Sequence, residues 1–174
     1  GIPVYKFDVG SLPACEEAIA KIEEEVGPIE VLVNKAGITR DGTMHKMTYE
    51  QWYDVVRTNL GSCFYVTRCI INGMRERGFG RIVNIGSISG DVADPRMALY
   101  NASKAFVHGL PRSIAVDHGP LIRCNAIKPG WILTGMADAA FALSEGEVDA
   151  VEGRLGWRVV RIDAANDPVA PSFE

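Results

Sequence analysis

At 174 residues with 47% hydrophobic side chains, the chain is long enough for one domain with a sizeable core. A formal charge of −4 and the lack of any basic run argue against a nucleic-acid partner. No apolar run approaches membrane-spanning length and no signal peptide precedes the first element, so the expectation is a cytoplasmic protein with no membrane partner.

In chain order, Val4 to Phe7 reads as the first strand, followed by Asp8 and Val9. Ser11 then caps a helix reaching Val26, with Cys15, Ala18, Ile19, Ile22 and Val26 on one stripe and Gly27 as its stop. Ile29 to Val33 is the next strand, apolar and therefore expected to be buried. Small residues in the Asn34-Lys35-Ala36-Gly37 stretch at its carboxyl end let a ligand approach the backbone closely. Thr48 to Gln51 fits a capping box opening a long helix through about Arg77. Its expected buried side is Trp52, Val55, Val56, Leu60, Phe64 and Ile70, with Asn59 among them. A polar amide on such a face is ordinarily a satisfied core residue.

Arg81 to Ile85 is a branched apolar run, the pattern of a strand buried on both faces, so Gly86 and Ser87 fall at its carboxyl end, where open parallel sheets place ligands. After a Gly/Asp/Pro loop, a helix carries Tyr100 and Lys104 one turn apart on one face. It runs toward His118, with Pro111 expected to kink it. Ile122 to Ile127 is the last clear strand, before Pro129 and Gly130. Residues 135–152 suggest an Ala-rich helix and a second short one, and Trp157 to Ile162 has weak strand character. Cys15, Cys63, Cys69 and Cys124 lie far apart without a C-x-x-C, and His45, His108 and His118 lack metal-ligand spacing. Neither a metal nor a disulfide is expected: the cysteines read as small buried hydrophobes in a reducing compartment, the histidines as structural or surface residues.

The Tyr100 and Lys104 pair suits proton transfer. A phenol has a reference pKa near 10. An ammonium about 4 Å away contributes on the order of 4 kcal/mol at an effective dielectric near 20, which would lower the phenol pKa by up to about three units before desolvation opposes it. Ser87 could hydrogen-bond a substrate oxygen and hold it near Tyr100. A Tyr four residues before a Lys is common by chance, as is a strand ending in Gly-Ser. It is the ordered combination of strand, Gly-Ser, loop, Tyr, Lys and a further strand that carries weight.

The matching pieces are NKAGITRDGT at Asn34 to Thr43, Asn59 in RTNLGS, NIGSISG at Asn84 to Gly90, YNASK at Tyr100 to Lys104 and PGWILT at Pro129 to Thr134. In this order they resemble the short-chain dehydrogenase/reductase family, and AGITRD looks like the branch of 3-oxoacyl-[acyl-carrier-protein] reductases and acetoacetyl-CoA reductases. The resemblance covers residues 3 to 134. It implies an α/β fold with a doubly wound, Rossmann-like parallel sheet, a core over 1–134 and a variable tail over 135–174. It implies NADP, with NAD possible, and reduction of an acyl thioester in which Tyr100 is the general acid, Lys104 lowers its pKa and grips the ribose, and Ser87 orients the oxygen. By the same resemblance Asn59 bends its helix and holds a relay water, Asp8 and Val9 contact the adenine, and Asn34, Ala36 and Gly37 line the cofactor. Pro129, Gly130, Ile132 and Thr134 would hold the carboxamide, and Asp41 would meet the thioester. Relatives form dimers or tetramers through their two long helices, so a homo-oligomer is implied.

Several positions depart from the family pattern. Lys35 replaces a second asparagine, which reads as a structural perturbation, and Lys128 adds a charge beside Pro129. Asp94 to Met97 reads DPRM, unlike the glutamine-bearing loop of acetoacetyl-CoA reductases. Nothing matches the Gly-rich phosphate loop that opens the family fold, so the expectation is a single domain truncated at both ends, with the strand at Val4 to Phe7 deprived of neighbours. Three explanations stand beside one another: a portion of a longer reductase, a naturally truncated member, or a catalytically silent copy serving as an oligomeric scaffold.

Overall fold

The computed structural model describes residues 3–130 and Ile132. The chain divides into two compact units, Gly1–Lys128 and Pro129–Glu174. The expected tail elements and Thr134 lie outside the described residues.

Within the first unit, strands and helices alternate: α1 (Leu12–Glu25), β1 (Val31–Asn34), α2 (Tyr49–Val55), α3 (Ser62–Arg77), β2 (Gly80–Ile85), α4 (Ala98–His118) and β3 (Ile122–Ile127). The three strands form a parallel sheet in the order β1-β2-β3. Asn34 pairs with Asn84 and Ile85 with Ile127, so all three carboxyl ends open on one edge. Parallel neighbours need a crossover, and the helices supply it. This is the Rossmann-like α/β architecture expected from the sequence.

The core joins Cys15 and Ile19 of α1, Val66, Ile70 and Met74 of α3 and Ile114 of α4 to Ile82, Ile122 and Cys124 of the sheet. In β3 these positions alternate mostly with exposed ones, in β2 with half-buried ones. Val31 is 59% and Val33 55% exposed, and Ile127 also faces outward. Among the described residues β1 and β3 are therefore open on one face, and β2 is fully buried on one face and half-buried on the other, where the apolar runs predict burial on both: branched side chains suit a pleated surface whether or not a second layer covers it.

Val4 to Phe7 corrects another expectation. It belongs to no strand of the described sheet, and Val4 is 90% exposed. Strand propensity without an adjacent ladder leaves backbone groups unpaired, so these residues do not register as a strand. Phe7 and Val9 still pack against the core.

The capping box opens α2: Thr48 Oγ1 accepts from the Gln51 N–H at 3.2 Å and Gln51 Oε1 accepts from the Thr48 N–H at 2.9 Å. Between α2 and α3 the helix widens into a π-helical stretch, Val56–Gly61, centred near Asn59. Such widenings insert an extra residue per turn and turn the following side chains. Trp52 and Phe64, expected inside, are exposed, while Val55 and Ile70 are buried. The helix ends where Gly78 takes φ 67°, its N–H bonding Arg75 O and the Phe79 N–H bonding Met74 O. The proline at position 111 does not interrupt α4, which runs unbroken to His118 with Pro111 buried. One backbone donor is lost there, and core packing on the same face offsets it.

Candidate active site

At the carboxyl edge of the sheet, three elements bring their polar residues together. β1 delivers Asn34, which is buried and whose amide donates to Asn84 Oδ1 at 2.8 Å and to Thr67 Oγ1 at 3.3 Å. Asn34 thus ties β1 to β2. The lysine that follows it is exposed, so its charge stays in water and the tie between strands is made without it. Beyond it, Ala36 is exposed and Gly37 lies directly over the site: a Cβ on Gly37 would stand 3.6 Å from both Asn59 Oδ1 and Lys104 Nζ.

Asn59 is buried in the π-helical stretch. Its Oδ1 accepts from the Ile38 N–H at 2.8 Å, and its amide donates to Ile38 O at 3.0 Å and Ser103 Oγ at 2.9 Å. Ser103 Oγ in turn donates to Tyr100 O at 2.7 Å. The side chain is fully engaged in pinning the turn after β1 to the helix that carries Tyr100.

Lys104 is only 5% exposed, donates to Ile85 O at 2.9 Å and stands 5.4 Å from the centre of the Tyr100 ring. Burial pushes its pKa down. Tyr100 corrects an expectation. Burial raises the phenol above its ordinary pKa, and Asp94 and Asp41 add to the rise while Ser87 pulls it down. Lys104 directs its ammonium at a backbone carbonyl and is itself disfavoured as a cation, so desolvation outweighs it. At neutral pH the phenol is protonated.

Ser87 is buried at the end of β2. Its Oγ accepts from the Ser89 N–H and donates to Ser89 Oγ, both at 3.1 Å, and Ser89 Oγ donates to Asp94 Oδ2 at 2.7 Å. Across the mouth, the Gly42 N–H donates to Arg96 O at 2.7 Å and Gly42 pairs with Met97 as a single parallel bridge. The two loops so joined border a cavity of about 490 Å³ lined by Asp41, Thr43, Lys46, Gln51 and Arg96. Arg96 and Lys46 make no ion pair among the described residues.

Asp8 is exposed and reaches Arg57 of the π-helical stretch that carries Asn59. Its Oδ1 accepts from the Gly10 N–H at 2.8 Å and its Oδ2 from Arg57 at 2.6 Å, contacts that hold its carboxyl below the usual range. Val9 is half-buried beside it. Pro129, Gly130 and Ile132 belong to the second unit. Among the described residues, no cluster of His, Cys, Asp and Glu could hold a metal, and no helix is long and apolar enough to cross a membrane.

Sequence reasoning missed Asn84, Ser103 and Ser89 as partners, and it passed over His108 and Asp91. Asn84 sits opposite Asn34 in register, and His108 lies one further turn along the face shared by Tyr100 and Lys104. Those spacings were the available signals.

A parallel sheet with polar residues gathered at its carboxyl edge defines a Rossmann-like α/β protein with a ligand site at the strand ends. More narrowly, the chain belongs to the short chain dehydrogenase family, whose model matches residues 2–144. It is 48% identical over 160 residues to the acetoacetyl-CoA reductase of Rhizobium meliloti (strain 1021), an alignment covering 90% of this chain and 66% of that protein. The 3-oxoacyl-[acyl-carrier-protein] reductase of Haemophilus influenzae is 38% identical, over 86% of this chain and 63% of that protein. Among solved structures, ElxO with NADP bound aligns with a TM-score of 0.78 and 31% identity, covering 85% of this chain and 60% of that one. The gluconate 5-dehydrogenase from Burkholderia cenocepacia J2315, in complex with NADP and tartrate, aligns with a TM-score of 0.74 and 34% identity, covering 76% and 52%. The chain therefore spans about two thirds of the length of the reductases it matches.

Proposed function

We propose that the chain acts in an NADP(H)-dependent short-chain reductase that converts a 3-oxoacyl thioester, on CoA or acyl-carrier protein, to its 3-hydroxyacyl form. The observation that carries this reading is the gathering of Tyr100, Lys104 and Ser87 at one strand edge, with Asp41 acting on the same phenol. Similarity to acetoacetyl-CoA and 3-oxoacyl-[acyl-carrier-protein] reductases supports the substrate class. NADP bound in two structural neighbours supports the cofactor.

The residues of the first unit fit such a cofactor. The missing side chain of Gly37 leaves its backbone open over Lys104 and Asn59, and Ala36 adds no bulk. Ala36, Gly37, Tyr100 and Lys104 would hold the nicotinamide and ribose end, with Asp8 and Val9 toward the adenine. Bound NADPH supplies the hydride for the carbonyl carbon. The chain's own part is positional and protonic: Ser87 orients the carbonyl oxygen, and Tyr100 donates its hydroxyl proton to that oxygen. A phenol raised above its ordinary pKa is the protonated form this step requires. Lys46 and Arg96 at the cavity favour the phosphate-bearing handle of an acyl thioester.

Tyr100→Phe should lower the rate of NADPH oxidation with acetoacetyl-CoA at least roughly 100-fold while NADPH fluorescence still reports binding. A near-normal rate overturns the assignment of the acid. The second reading, a silent scaffold, is favoured by Phe64 and Phe106, exposed on α3 and α4, the helices through which copies would assemble into dimers or tetramers. A folded sample that binds no NADPH supports that reading. Free, largely buried Cys15, Cys63 and Cys124 are in keeping with a reducing cytoplasm.

A further inference from the structure

We propose that His108, braced by Asp91 and Lys128, is a positioning residue that fixes Ser87 against the helix carrying Tyr100. The proposal rests on reading Ser87 as the hydroxyl that orients the substrate oxygen.

His108 is buried on α4, at the third successive turn of the face that presents Tyr100 and Lys104. Its Nε2 accepts from the Ser87 N–H across a long 3.4 Å, and its Nδ1 stands 3.2 Å from Asp91 Oδ1. A backbone N–H can only donate, so Nε2 must present its lone pair, and the ring proton sits on Nδ1, directed at the Asp91 carboxylate. Lys128, just past β3, closes the chain with 2.7 and 3.0 Å contacts to the two oxygens of Asp91. This lysine, unusual in the sequence, neutralises the carboxylate that orients the ring.

The ring is also wedged in place. A Cβ on Gly86 would stand 2.5 Å from His108 Nε2, and one on Gly90 2.5 Å from Cε1, so the segment around Ser87 folds around the imidazole with no room for side chains. One turn earlier Lys104 grips Ile85 O at 2.9 Å. The two residues of α4 thus hold the end of β2 on either side of Gly86, and the spacing between the serine and the phenol is set by one helix. Lys128 and Asp91 link that clamp to the exit of β3, where the Gly86 N–H donates to Ile127 O at 2.8 Å.

Three readouts test the proposal. Long-range proton–nitrogen correlation spectra of the full chain, with the His108 signals identified by their loss in His108→Gln, should show a protonated Nδ1 and an unprotonated Nε2. Exchange of the Ser87 amide should be slow in the wild type, remain slow in His108→Gln, whose carbonyl oxygen can replace Nε2 as acceptor, and speed up in His108→Leu and His108→Asn. Reduction of acetoacetyl-CoA should follow the same order: kcat falls roughly 10- to 100-fold in the Leu and Asn variants and stays within about threefold in Gln, with KM for NADPH unchanged in all three, because small misplacements of a reacting group act on the chemical step. A ring protonated on Nε2, a Ser87 amide that exchanges as fast as an exposed one, or Gln failing alongside Leu overturns the clamp. If no variant and no wild type reduces the thioester, the reductase reading fails by itself, and the nitrogen spectra with the Ser87 exchange still decide the clamp.

Discussion

Asn34 and Asn84 face each other in register across β1 and β2, and the amide of the first donates to the carbonyl of the second at 2.8 Å. Both are buried, at strand ends that lead directly into the site. Asn34→Ala would leave Asn84 Oδ1 without its donor in an apolar setting, a loss of about 1–3 kcal/mol. Replacing both by leucine removes the orphan as well as the bond, so the double variant should lose less than the sum of the singles. Urea midpoints at constant m-value measure this. Strictly additive losses would mean that the two asparagines act independently.

The direction of the Tyr100 shift carries a second prediction. Its folded pKa lies above the ordinary value near 10, because burial and the carboxylates of Asp94 and Asp41 oppose the phenolate. The stability this contributes is fully present below the unfolded pKa and is lost as pH rises through the folded one. An alkaline absorbance titration of the wild type minus Tyr100→Phe should therefore show the phenolate of this residue forming above pH 10. Ionisation below that value in the cofactor-free chain would restore Lys104 as the dominant influence.

Lys104 shifts the opposite way, and the sign reverses. Its folded pKa is depressed by burial, so the unfolded chain binds more protons between that value and the ordinary one, and stability rises with pH across this window. Lys104→Met, which removes the buried ammonium at the cost of its 2.9 Å bond to Ile85 O, should compare best with the wild type at neutral pH and fall behind toward pH 10. Denaturation midpoints at several pH values test this; a difference independent of pH would mean the ammonium carries no desolvation penalty. Turnover should be lost throughout, a trade of stability against activity common where a site needs a buried charge.

How much of this was legible beforehand follows from the range of each signal. The Thr48 and Gln51 capping box needs only four consecutive residues, and both of its bonds form. Tyr100 and Lys104 lie on one face because helical spacing alone decides it. Val4 to Phe7 has strand composition, but a strand exists only where a neighbour pairs with it, which no local pattern encodes. The sign of the Tyr100 shift was out of reach for the same reason: burial and two carboxylates from separate loops set it. His108 carries no metal spacing, and only its fit between Gly86 and Gly90 reveals what it touches.

Arg96 separates backbone strain from charge. It adopts φ 64° without being glycine, at the rim of the cavity it shares with Lys46 and Asp41. That left-handed conformation costs a residue with a side chain about 1–2 kcal/mol, of which a glycine would recover part, since its extra freedom in the unfolded chain takes back about 0.4–1 kcal/mol. Arg96→Gly should therefore leave stability unchanged or raise it by up to about 1.6 kcal/mol. Arg96→Ala keeps the strained conformation and gains nothing comparable. Both variants lose the guanidinium, so if the cavity receives the phosphate-bearing handle of a thioester, both should raise KM for acetoacetyl-CoA several-fold with kcat little changed, the mark of binding that does not change in the transition state. Parallel KM increases with diverging urea midpoints would assign the strain to the backbone and the recognition to the charge. An unchanged KM in both would remove Arg96 from the substrate site and leave its left-handed turn to the loop pairing with Gly42 alone.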